Sequence, residues 1–123
     1  MSQVQIVRVL GYYTDAGFIE RIVANFRKRL IDVDAICGRR VNDEGLYEVY
    51  LVVRNHPNFY IAVLNLSKTP TIEKVEVLGY HDAPVLVDEK CEGSEKVFIF
   101  CVPKPLKTWG FSWGVVHGQD IQR

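Results

Sequence analysis

The spacing of hydrophobic and polar positions changes several times over the first two thirds of the chain, and each change marks an element. Val4 to Leu10 mixes β-branched and polar side chains with partial alternation, which predicts a strand with one better buried face. Gly11 to Gly17 breaks that pattern. From Phe18 the apolar residues Phe18, Ile19, Ile22, Val23, Phe26 and Leu30 recur at steps of three and four, while Glu20, Arg21, Asn25, Lys28 and Arg29 take the other side, so an amphipathic helix is expected. Val33 to Val41 is strand-like, Asn42-Asp43-Glu44-Gly45 has the chemistry of a hairpin turn, and Leu46 to Arg54 answers as the partner strand. In that partner, alternation puts Tyr47, Val49, Leu51 and Val53 on one face, expected to meet the helices, and Glu48, Tyr50 and Val52 on the other.

Asn55-His56-Pro57 reads as a helix entrance, with Asn as the cap and proline in the first turn. The helix is expected to reach about Leu66, burying Phe59, Val63 and Leu66 with Tyr60 and Leu64 at its flanks. Ile72 to Leu78 alternates as a further strand. The order β, α, β, β, α, β predicts an α+β fold of ferredoxin-like type, a four-stranded antiparallel sheet with both helices on one face. Residues 1–79 form this domain, and residues 80–123 form an extension packing on the same domain or on a dimer partner. Within the extension, Pro84 to Val87 and Lys96 to Val102 are expected to pair as a hairpin around Glu92-Gly93-Ser94. The aromatic residues of the tail, Trp109, Phe111 and Trp113, show no period and are expected to pack within the chain or a dimer.

Composition fits a globular chain with one core, since 48% of its 123 residues are apolar and 24% charged. Fifteen basic residues balance fifteen acidic ones, so no overall field draws the molecule to nucleic acid or to anionic membranes. The apolar runs are too short to span a bilayer and the N-terminus lacks the pattern of a secretory signal, so a cytoplasmic location is expected. Cys37, Cys91 and Cys101, odd in number and beside apolar segments, read as reduced and mostly buried thiols.

Chemistry-bearing patterns are sparse. His56, His81 and His117 lie far apart and beside no second ligand, so neither a metal nor a cofactor is expected. The carboxylate pairs Asp32/Asp34 and Glu73/Glu76 are expected to face solvent, and no nucleophile and base stand out as catalytic. The loop Thr14-Asp15-Ala16-Gly17 has two readings. Its polar side chains cap the following helix, or the helix N-terminus beyond Gly17 receives a ligand's carboxylate.

The residues from Thr14 to Val23, together with Phe26, Asp32-Val33 and the hairpin to Leu51-Val52-Val53, resemble an ACT domain, most closely the one that opens the acetolactate synthase small subunit. Gly17 matches the family's loop glycine, while Ala16 stands where proline is usual and Asp32-Val33 stand for an Asn-Ile pair. The resemblance implies a non-catalytic regulatory subunit in branched-chain amino acid biosynthesis that binds an amino acid such as valine, forms a homodimer, and acts allosterically on an acetolactate synthase catalytic subunit. It places ligand contacts at Thr14, Asp15, Gly17, Phe18 and Ile19 of one protomer and at Asp32 and Val33 of its neighbour. Two other readings share the same element order, an RNA-binding module and a small ferredoxin-like enzyme. Against the RNA reading, Leu46 to Leu51 lacks the glycine and basic residues of an RNA-recognition strand, and Tyr47 and Tyr50 fall on opposite faces.

Overall fold

In the computed structural model, residues 4–81, 94–97, 100–103 and 109–118 are described. Strand β1 (Val4–Tyr12) leads to helix α1 (Phe18–Arg27), then to β2 (Val33–Arg40), β3 (Leu46–Arg54), α2 (Phe59–Ser67) and β4 (Ile72–His81). Four short strands follow: β5 (Ser94–Val97), β6 (Phe100–Pro103), β7 (Trp109–Ser112) and β8 (Val115–Gly118). The main sheet has the order β2-β3-β1-β4-β7-β8, every pair antiparallel. This is an α+β architecture compatible with the ferredoxin-like type, but with six strands in the sheet where four were expected.

The two added strands come from the tail. Across only four residues each, alternation has no room to become a pattern, and glycines interrupt what there is. β7 nevertheless pairs with β4 from Val75↔Phe111 to Val77↔Trp109. Phe111 is buried in the main core, and Trp109 stacks on Tyr60 of α2 at 5.7 Å. Trp113, at the β7–β8 turn, is exposed. The Ser67 hydroxyl fastens this turn to α2, accepting from Gly114 N–H at 3.2 Å and donating to the Leu64 carbonyl.

The expected second hairpin is also redrawn. Of residues 96–102, read as one strand, 96–97 belong to β5 and 100–102 to β6, which pair with each other in a separate two-stranded sheet. Pro84 to Val87 lie outside the described residues.

Odd-numbered residues of β1 and β3 point to the helices, as the alternation predicts. Val7, Val9, Val49, Leu51 and Val53 share a core with Phe18, Ile22 and Phe26 of α1 and with Phe59, Val63 and Leu66 of α2. Both helices therefore cover one face of the sheet. A smaller cluster of Val4, Ile6, Tyr50, Val52 and Leu78 is buried on the opposite face, with Ala35 and Cys37 packed against it. Gly11 is needed where β1 passes the end of α2, since a Cβ would sit 2.7 Å from the Thr71 carbonyl oxygen.

Three local expectations are corrected. Leu30 does not extend the buried face of α1. The helix closes with Leu30 N–H on the Arg27 carbonyl and Ile31 N–H on the Phe26 carbonyl, a Schellman motif that puts Leu30 at φ 65° and leaves it 79% exposed, while Ile31 takes the core position. Asn25, placed on the polar side, is buried and donates to the Ala62 carbonyl at 2.7 Å, so it joins the two helices. Asn55 does not cap α2. Its side chain accepts from Gln5, and the ring of His56 instead accepts the Asn58 N–H through Nδ1 at 3.0 Å.

Candidate functional site

The loop before α1 uses its own carboxylate. Asp15 Oδ1 accepts the Gly17 N–H at 2.7 Å and lies 3.1 Å from Arg21 Nη1. The Gly17 N–H and then Arg21 hold the Asp15 carboxyl below the usual carboxylate range. A donor that could have met a ligand's carboxylate is thus taken up within the loop. Thr14 is exposed beside it. Phe18 belongs to the core, touching Tyr13 and Tyr47, and Ile19 packs at the core margin.

Asp32 and Val33 lie at the other end of α1. The ten residues of that helix separate them from the loop by roughly 15 Å, so one chain does not bring the two sets onto one small ligand. They meet different neighbours instead. Asp32, Val33, Asp34 and Ile36 line a cleft of about 950 Å³ with Arg27 and Leu30 at the end of α1 and Arg54 and His56 at the entrance to α2. Arg54 N–H donates to the Asp32 carbonyl at 2.9 Å, which pins the start of β2 to β3. Arg54 Nε and Asp34 Oδ2 are 2.8 Å apart and answer each other.

Arg27, Arg54, Leu30 and His56 were not singled out as site residues, because they come from three segments whose meeting depends on the fold. A faint signal was present in the sequence. Leu30-Ile31-Asp32 ends a helix without the glycine such an end usually carries.

A second polar centre lies on the sheet face away from the helices. Arg8 Nε and Nη1 lie 2.6 Å from Glu48 Oε2 and Glu76 Oε1. Arg39 and Lys74 add further cations to Glu48 and Glu76 respectively, and the Tyr50 hydroxyl donates to Glu48. Glu76 was expected to face solvent. Instead its side chain is only 12% exposed, drawn in by the guanidinium directly across the strand pair. Burial opposes ionisation of both glutamates, but the hydrogen bonds from Arg8, with those from Arg39 and Lys74, outweigh it and lower their pKa values. Burial and then the Glu48 charge push the Tyr50 phenol up to about 12. Every charge here is answered by another, so this centre holds strands together rather than presenting open valences.

Cys37 is a half-buried free thiol whose pKa is raised by burial. Cys91 lies outside the described residues. Among the described residues no three His, Cys, Asp or Glu side chains converge in a way that could hold a metal, and no helix is long and apolar enough to cross a membrane.

No family model matches the chain, and no curated protein matches it. The geometry of the cleft therefore carries the functional reading.

Proposed function

We propose that the chain is a non-catalytic regulatory domain of ACT type, ferredoxin-like in its first four strands, that binds a small amino acid and works as a homodimer. The observation that carries this reading is the cleft at the start of β2, where Asp32 and Val33 lie among apolar walls and side chains of both charges. Pockets for small ligands are concave and combine apolar walls with polar groups that fix orientation, and this cleft offers both, with a larger polar share than most. At about 950 Å³ it is much larger than one amino acid, which favours a second protomer completing it. Of residues 14–19, at the far end of α1, the exposed Thr14 is then placed to serve a neighbour's cleft.

The partner in this reading is an acetolactate synthase catalytic subunit, the location cytoplasmic, and the ligand a branched-chain amino acid such as valine. Regulation requires that the ligand bind two states of the assembly with different affinity. Calorimetry of the full chain against the L-amino acids tests binding, and sedimentation at several concentrations tests the dimer. Co-purification with the catalytic subunit, and a change in its rate on adding valine, tests regulation. Absence of heat across the whole panel rules out the sensing role. The RNA-binding reading is disfavoured because Tyr50, on the sheet face away from the helices, is buried with its hydroxyl on Glu48, so its ring is not open for a base to stack on.

A further inference from the structure

The charges around the cleft sort themselves into a satisfied pair and an unsatisfied pair. Arg54 and Asp34 neutralise one another at 2.8 Å. Arg27 and Asp32 take part in no side-chain hydrogen bond or ion pair among the described residues, although both line the same cavity. A cation and an anion that line one cleft without a side-chain partner suit a molecule that carries the opposite two charges. A dicarboxylate would meet Asp32 with the wrong sign, and a diamine would meet Arg27 in the same way.

Beside these four charged residues, the lining has Asn55 and His56 and four apolar side chains. Val23, Val33 and Ile36 contribute branched side chains, and Leu30 stands at the rim. Leu30 is the unusual member, an exposed leucine at φ 65° where glycine carries no steric penalty. Core packing does not account for it, since Ile31 fills the core position. Its side chain is accounted for if the cleft takes an apolar group. His56 adds a donor, because Nδ1 accepts the Asn58 N–H and the proton of the neutral ring therefore lies on Nε2.

We propose that this cleft holds one α-amino acid with an apolar side chain, its carboxylate on Arg27, its ammonium on Asp32 and its side chain against Leu30 and Ile36. The proposal rests on the regulatory reading above and deepens it, by assigning the carboxylate to Arg27 at the end of α1 rather than to the loop at its start. Guanidinium and carboxylate groups make charge-assisted hydrogen bonds to such partners, and removing one leaves a ligand charge unanswered.

The test is calorimetry on the full chain with L-valine, L-leucine, L-glutamate, L-lysine, isobutylamine and 3-methylbutanoate. The two apolar amino acids bind. The amine and the acid, each lacking one charge of valine, bind about tenfold more weakly or worse, as do glutamate and lysine. Arg27→Gln and Asp32→Asn each weaken valine by about tenfold or more. Lys28→Gln, beside the cleft residue but not lining the cavity, leaves the affinity unchanged. Both cleft positions are exposed, and an unchanged melting temperature shows that the variants fold. Valine binding that survives both cleft substitutions overturns this assignment while leaving an amino-acid sensor standing. Failure of the unaltered chain to bind any amino acid overturns both.

Discussion

Gly110 of β7 lies opposite Glu76 of β4, so close to the neighbouring Val75 carbonyl that a Cβ added to the glycine would overlap its oxygen. Only a residue without a side chain lets the tail join the sheet at this point. Gly110→Ala therefore forces β7 away from β4 and disturbs the packing of Trp109 and Phe111 on α2. The expected loss is about 3 kcal/mol in urea unfolding, at the upper end of overpacking costs. Trp109 fluorescence should report the separation.

Arg8 stands between the buried Glu48 and the partly buried Glu76. Arg8→Met leaves Glu48 and Glu76 facing each other with less cationic compensation, and the expected cost is about 3–5 kcal/mol. The triple variant Arg8→Met, Glu48→Leu, Glu76→Leu removes the two carboxylates left under-compensated as well and should recover much of that loss. A chemical denaturation series on the two variants separates loss of the cation from loss of the whole network.

The same network predicts the pH profile of stability. Glu48 and Glu76 have folded pKa values below the ordinary 4.5, so their contribution is complete above pH 4.5 and is lost as pH falls through the folded values. Tyr50 has its pKa raised from 10.0 to about 12, so the folded state favours the neutral phenol and stability falls as pH rises between these two values. The Cys37 thiol, raised above its ordinary 9.0 by burial, acts in the same direction from a lower pH, so thermal melts should show a plateau between about pH 5 and pH 9 with a decline on both sides. Tyr50→Phe should flatten the alkaline arm.

Leu30→Gly removes a side chain from a left-handed backbone position. The exposed leucine makes little of the core, so the substitution should stabilise the chain by about 1 kcal/mol, visible as a rise in melting temperature. A fall instead would mean that Leu30 carries packing that its exposure does not reveal.

Much of the architecture was legible in the sequence because the first six elements are long enough for a period to declare itself. Tyr47, Val49, Leu51 and Val53 alternate over a nine-residue strand, and the side of the sheet they take follows that alternation, although Tyr50 and Val52 on the other side are buried too. Leu30 misled for a physical reason. It continues the helical spacing by one step, but hydrophobic period does not record where the backbone turns left-handed. Asn25 was placed by its polarity, and its burial depends on a carbonyl 37 residues away. The strands at Trp109 and Val115 were too short to show a pattern. The cleft was half legible. Asp32 and Val33 were named, whereas Arg27, Arg54 and His56 become their neighbours only once α1, β3 and α2 have packed.

The Arg8–Glu76 pairing also acts as an alignment key. β1 and β4 are rich in valine on the helix side, and a slip of two residues would still place apolar side chains toward the helices. Such a slip would set Arg8 against Lys74 or Leu78, meeting a like charge in one direction and a hydrocarbon in the other. The ion pair thus singles out one arrangement among several that hydrophobicity alone would tolerate, and the tail strand, which reads its own position from β4, inherits that choice.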